Sequence, residues 1–210
     1  MPGSERTFFE ESARGRVTAA IKEVEAQTSA EVVVSVKNAT GAYRDVDYLV
    51  GFAASVAVLL VLLFDPFEFA TEGMPLEVVA AFAAGAFGSS RLPALRRALT
   101  SKKRREEAAL QAARAAFVTL GVGRTQARNG ILVLVSVFER RAAVVADVGI
   151  DGEKLGAEWR ERVHALESSL DHGPDFERFV ETLRALGPIL GAAMPRQADD
   201  VNELPDEVAG

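Results

Sequence analysis

The chain has 210 residues, with 24 Lys and Arg against 30 Asp and Glu; its formal charge of −6 argues against general nucleic-acid binding, which needs a basic surface. It contains no cysteine, which excludes disulfides, thiolate metal sites and cysteine nucleophiles, and fits a reducing compartment. Hydrophobic residues make up 49% beside 26% charged ones, and the excess is concentrated between residues 48 and 90, so the length predicts one core of about 150 residues plus a membrane segment.

In chain order, residues 1–16 carry Glu5, Arg6, Glu10, Glu11, Arg14 and Arg16 without an apolar stretch, unlike a cleavable signal peptide. Thr7-Phe8-Phe9-Glu10 has the capping-box spacing, in which hydroxyl and carboxylate satisfy the free amides of a first helical turn. Val17, Ile21 and Val24 continue at helical spacing to Thr28-Ser29, and the β-branched run from Glu31 to Lys37 reads as a strand.

Residues 48–64 contain no charge, and eleven of them are Leu, Val or Phe. Each contributes roughly −0.3 to −0.6 kcal/mol to insertion at mid-span, so this run is expected to cross a bilayer. A weaker apolar run, residues 76–95, has Glu77 near one end and Arg91 near the other. Gly51 with Ser55, and Ala81 with Gly85 or Ala84 with Gly88, have the small-xxx-small spacing that lets two helices approach closely in lipid, so a hairpin is expected. The loop between the runs holds Asp65, Glu68 and Glu72 and no Lys or Arg, whereas Arg91, Arg96, Arg97, Lys102, Lys103, Arg104 and Arg105 follow the second run. The positive-inside rule then predicts a multi-pass protein of a bacterial inner membrane with both termini cytoplasmic. Those seven basic residues are also expected to contact anionic lipid headgroups.

Thr100-Ser101 offers an N-cap to a helix carrying Leu110, Ala113, Phe117 and Leu120, with Gly121 as its C-cap. Asn129-Gly130 makes a turn, residues 131–138 suit a strand buried on both faces, and residues 142–148 read as its antiparallel return around the charged tip Glu139-Arg140-Arg141. Asp151 can cap a helix with the stripe Leu155, Trp159, Val163, Leu166 and Leu170; Pro174-Asp175 opens another with Phe176, Phe179, Val180, Leu183 and Leu186. Residues 195–210 are acidic and aperiodic, as in a flexible tail. The expected organisation is a discontinuous α/β domain from residues 7–45 and 100–194, with a transmembrane hairpin inserted at 46–95 (spans about 48–64 and 76–95). A crossover places the strand at Glu31 parallel to that at Ile131.

Several segments in this order resemble the TPM domain of bacterial and chloroplast membrane proteins. They are Ile21-x3-Glu25-x2-Thr28-Ser29-Ala30-Glu31 with its valines, Ala112-Ala113-x2-Ala116-Phe117-x3-Gly121-Val122, Arg128-Asn129-Gly130 with its apolar run, and Val144-Val145-Ala146-Asp147-x-Gly149-Ile150. The resemblance covers nearly all of the soluble part, and Asp199-Asp200-Val201-Asn202-Glu203-Leu204-Pro205 is similar to the tail of a bacterial subgroup carrying a hairpin inside the domain. It implies an α/β/α layer with a small mixed sheet, and among its members acid phosphatases, calcium binders and assembly factors for membrane complexes. Where many relatives open with an Asp-containing segment, this chain has Phe8-Phe9-Glu10-Glu11.

Acid/base or metal chemistry needs carboxylates gathered in a cleft. Glu31, Asp147 and Asp151 lie at expected strand ends and are the candidates for a calcium or phosphate site, against the plainer reading as caps or turn residues. His164 and His172 have no companion at metal-ligand spacing, Arg140-Arg141 reads as a tip that discourages edge pairing, and no Gly-rich phosphate loop or nucleophile elbow is present. The leading expectation is a non-enzymatic membrane-anchored accessory or assembly factor; the rival is a TPM-type phosphatase or calcium-binding hydrolase.

Overall fold

The computed structural model describes residues 6–65, 71–197, 202–204 and 208–209. The chain divides into two compact units, one of residues 1–40 with 105–210 and the other of residues 41–104.

In the first unit, α1 (Glu11–Glu25) leads into β1 (Glu31–Lys37), and the chain returns through α5 (Lys102–Thr119) to β2 (Gly130–Ser136) and β3 (Arg141–Ala146). The sheet order is β1-β2-β3: β1 runs parallel to β2 with Glu31 opposite Gly130, and β2 runs antiparallel to β3 with Ile131 opposite Ala146. Alternation along the strands divides the side chains between two faces. Val32, Val34, Val36, Ile131, Val133 and Val135 join one apolar core with Val17, Ile21 and Val24 of α1. That core also takes Trp159 and Leu166 of α6 (Gly152–Glu167), Phe179 and Leu183 of α7 (Phe176–Arg184) and Leu190 of α8 (Gly187–Ala193). Val33, Leu132 and Leu134 face the other way, against Ala109, Ala113 and Ala116 of α5. Hence β2 is buried on both faces, as its unbroken apolar run requires, and the layers are α/β/α with a small mixed sheet.

Several sequence readings change at this level. Thr7 and Glu10 form no capping box: Thr7–Phe9 is a 3₁₀ turn, and α1 begins at Glu11 after an extended Glu10 with no side-chain cap. Burial of Phe8, its ring 5.3 Å from Phe176 and 5.9 Å from Phe179, sets the chain direction there instead. Of the predicted α5 stripe, Ala113 is buried on the sheet and Phe117 packs there partly buried, but Ala109 and Ala116 take the places read for Leu110 and Leu120, because small side chains let the helix lie close on the sheet. Ser101 does cap α5 through the Arg104 amide (3.3 Å), and Gly121 follows it at φ +69°. β2 stops at Ser136 and β3 spans Arg141–Ala146, so both strands end short of the predicted Phe138 and Val148. The stripe through Leu186 is broken after Arg184, and α8 is a separate helix that the sequence did not distinguish.

Of the expected flexible tail, residues 198–201, 205–207 and 210 lie outside the described residues. Those described do touch the sheet: Leu204 packs on the Val33 side, Val208 on the Val34 side, and Ala209 bridges Ser35 in parallel.

The second unit contains α2 (Arg44–Phe64), α3 (Met74–Arg91) and α4 (Pro93–Leu99). Among the described residues, α2 alone is by itself long and apolar enough to cross a membrane; α3 joins it only if counted with α4, from which it is bent by 98°. The predicted second span, 76–95, is therefore cut at Leu92-Pro93, where proline cannot continue the α3 hydrogen-bond ladder. α2 and α3 approach through glycine: a Cβ on Gly51 would lie 2.7 Å from the Phe82 carbonyl, and one on Gly85 2.9 Å from the Ala54 Cβ. Ser55 Oγ donates to the carbonyls of Gly51 (3.1 Å) and Val78 (3.2 Å). The alternative pair Ala84 and Gly88 plays no such part, since a Cβ on Gly88 meets nothing within 4 Å. Leu49, Phe52, Leu60, Leu63 and Phe64 point outward. In the connecting loop, Glu68 lies outside the described residues.

Candidate functional site

The parallel register sets Glu31 beside Gly130, and the Asp147 amide donates to the Gly130 carbonyl (2.9 Å), so Glu31, Gly130 and Asp147 form one row across the strand ends. Alternation turns Glu31 and Asp147 toward the α5 face, two strands apart, which is about 9–10 Å. The two acids do not meet. Asp147 Oδ2 accepts from Arg128 Nε (2.6 Å), while Oδ1 accepts from Arg128 Nη2 (2.8 Å) and from the Val148 amide (2.8 Å). The Arg128 guanidinium, helped by that amide, holds the Asp147 carboxyl below the usual carboxylate range against the opposing effect of burial. Arg128 reaches this position from a left-handed backbone (φ 54°), in a turn closed by its own amide on the Thr125 carbonyl (3.1 Å).

Asp151 has a different role. Its Oδ1 caps α6 by accepting from the amides of Glu153 (3.1 Å) and Lys154 (3.2 Å), and those contacts lower its pKa. Glu31 lines a cleft of about 260 Å³ with Lys22, Glu25, Thr28, Ala30, Arg196 and Asn202. Glu25 Oε1 there accepts the Val32 amide (2.9 Å), and Arg196 donates to the Glu25 carbonyl (3.2 Å). Among the described residues, no three His, Cys, Asp or Glu side chains gather as a metal site. Glu31 and Asp147 stand at the ends of opposite outer strands and Asp151 caps α6, so the three acids are not gathered at one point. His164 lies in α6, and His172 lines a shallow cleft with Ser169, Gly173, Pro174, Asp175 and Arg178.

The opposite strand ends hold acids and arginines that sequence reading took for a charged hairpin tip. Glu139 is 1% exposed: its carboxylate accepts from the Thr40 amide (3.0 Å) and from Ser136 Oγ, and its carbonyl accepts from Arg105 Nη1 (3.3 Å). Arg141, also buried, pairs with Glu106 of α5 and with Asp171 after α6 (2.5 Å). The tip Glu139-Arg140-Arg141 is therefore an internal polar lock in two of its three residues. Glu167 is another buried acid the sequence did not mark; burial pushes its carboxyl up, although the Val144 amide donates to it (3.3 Å).

The basic residues that follow the second apolar run are unequal. In the second unit, Arg96 pairs with Asp47 (Nε to Oδ1, 2.7 Å). Arg104 pairs with Asp45 (2.5 and 2.8 Å), donates to the Ala42 carbonyl (3.1 Å) and lies 5.4 Å from the Tyr43 ring. Arg91 lies over Phe87 at 4.6 Å. Lys102 and Lys103 open α5 with exposed side chains, and Arg97 is half-buried in α4. Nothing in the sequence linked Arg96 and Arg104 to Asp47 and Asp45, since each pair closes across the hairpin.

No family model matches the chain, and no curated protein matches it. Among solved structures the fold is similar to the NMR structure of BA42 protein from the psychrophilic bacteria Bizionia argentinensis sp. nov.. The TM-score is 0.55 at 16% identity, over 95% of this chain and 93% of that one.

Proposed function

We propose that the chain is a membrane-anchored TPM-like α/β domain that acts without catalysis, as an interaction or assembly factor for membrane proteins at the cytoplasmic face of a bacterial inner membrane. The observation that carries the reading is the α2–α3 contact. Its glycine approaches at Gly51 and Gly85, the Ser55 bond across helices and the outward Leu and Phe side chains are what a helix pair in lipid uses. The structural roles of Asp147, bound by Arg128, and Asp151, capping α6, support a domain whose strand-end acids serve the fold. Arg91, Arg96, Arg97, Lys102, Lys103, Arg104 and Arg105, which follow the second apolar run, are the groups this reading assigns to anionic headgroups.

Topology reporters fused after Gly210 and at Gly73 in the full-length chain test the anchor. Signals placing Gly210 inside and Gly73 outside are expected; an external Gly210 means a single span and moves the domain to the other side of the membrane.

A second reading, a phosphatase or calcium-dependent hydrolase, is favoured by one feature, the cleft where Glu31 lies with Lys22 and Arg196. Phosphate release from a generic aryl phosphate by the purified full chain, abolished by Glu31→Gln with the fold retained, would establish it in place of the first.

A further inference from the structure

β1 is the outer strand of the sheet, and the main-chain groups of its even-numbered residues point away from β2. Such a row is a template on which another extended chain can pair. Here it is engaged by two segments of this chain itself. The Val32 amide donates to Glu25 Oε1 (2.9 Å), the Ala209 amide donates to the Val34 carbonyl (3.0 Å), and the Val36 amide donates to the Ala209 carbonyl (2.9 Å). Ala209 thus pairs with β1 in parallel through a single bridge.

Side chains hold the C-terminal segment on both faces of the sheet. Leu204 packs on the cluster of Val33, Leu132 and Leu134, and Val208 packs on the cluster of Val34 and Val36. Upstream, the Glu203 carboxylate accepts from the Gln126 amide (3.2 and 3.3 Å), and Asn202 Oδ1 accepts the Leu204 amide (3.2 Å). Leu204 and Val208 are only half-buried, so the attachment is a shallow one.

We infer that the outer edge of β1 is a docking edge for an extended peptide of a partner protein, in which an acidic residue precedes a leucine and a β-branched residue follows four positions after that leucine. The chain's own Glu203, Leu204 and Val208 fill these positions in the free protein. Main-chain pairing supplies attachment, the two apolar contacts supply selection, and an incoming peptide must displace the resident segment. The inference rests on the reading of the domain as an interaction factor and names the surface through which it acts.

The test uses the full chain in detergent micelles, a variant ending at Gln197, and a fluorescent peptide with the sequence of residues 202–210. A tethered segment competes at an effective concentration on the order of millimolar, so the shortened variant is expected to bind the peptide at least about tenfold more tightly than the full chain. Changing the peptide's leucine to aspartate should remove binding, and the Val36 amide should lose protection from hydrogen exchange in the shortened variant and regain it with peptide. Equal binding to both chains, no binding to either, or unchanged Val36 protection overturns the proposal. Dimerisation of the full chain that disappears in the shortened variant also overturns it, by placing a second copy's segment on the edge. All of these readouts use purified protein, so their failure leaves the topology result, and the membrane anchor, unaffected.

Discussion

Asp147 gathers three donors at the end of β3, from a guanidinium and an amide, while its own side chain is almost fully buried. Asp147→Ala removes the acceptor for the Val148 amide as well as the charge, and should cost about 1–3 kcal/mol. Arg128→Ala, whose side chain is half exposed, should cost less. Thermal unfolding followed by near-UV circular dichroism at Trp159 would compare the two; equal losses would show that the pair, rather than the amide, dominates. The folded pKa of Asp147 is lowered, so its contribution is present above the unfolded carboxylate value and is lost as pH falls through the folded one. Glu167 runs the other way: burial raises its folded pKa, so the stability it confers is present below the unfolded value and lost as pH rises through the folded one. Glu167→Gln, which keeps an acceptor for the Val144 amide, should therefore raise the melting temperature at neutral pH and leave it unchanged in acid. Asp147 and Asp151 were visible in the sequence as strand-end acids, yet their roles were not. Arg128 reaches Asp147 only because it adopts φ 54°, and no residue pattern announces a left-handed arginine.

At the level of elements, the two glycines of α3, Gly85 and Gly88, make opposite demands on substitution. Gly85→Leu must push side chains against Ala54 and the Gly51 backbone, whereas Gly88→Leu projects into open space. Overpacking of this kind typically costs about 1–3 kcal/mol, so Gly85→Leu should lower the melting temperature of the chain in micelles while Gly88→Leu leaves it nearly unchanged. Similar losses for both would mean that helix propensity, and not the α2–α3 contact, is being read. Helical periodicity located α1, α5, α6 and α7, and apolar or β-branched runs located α2, α3 and the three strands, because burial on one stripe or on both faces leaves its mark on residue order. It failed where tertiary contact overrode local pattern. Phe8 is drawn into the core by Phe176 and Phe179, more than 160 residues away, and the capping box is lost. In α5 the fully buried positions facing the sheet are alanines, with Phe117 packed beside them only partly buried, so the stripe read through Leu110 and Leu120 does not hold. The C-terminal contacts with β1 were equally hidden, because an acidic, aperiodic segment docks through its main chain.

For the whole molecule, the decisive feature is that one α/β fold is assembled from two separate stretches of chain. The first stretch stops at Thr40 and the second resumes at Arg105, and both ends bind the same residue: the Thr40 amide donates to the Glu139 carboxylate, and the Arg105 guanidinium donates to the Glu139 carbonyl. The two ends are therefore within a few residues' reach of one another. A linker of eight Gly and Ser residues, which extends to at most about 26–29 Å, should span them. Replacing residues 41–104 with such a linker removes α2, α3 and α4 but none of the residues in the two apolar cores, and it shortens the loop that folding must close, which favours the folded state by loop entropy. The product is expected to be a detergent-free, monomeric protein with one cooperative thermal transition and a protected core of β1 and β2 amides in hydrogen exchange. A product that aggregates or melts without cooperativity would mean that α/β packing depends on the apolar hairpin. In that case the insertion would be a structural part of the domain, and Glu139 would mark a junction under strain when the hairpin is gone.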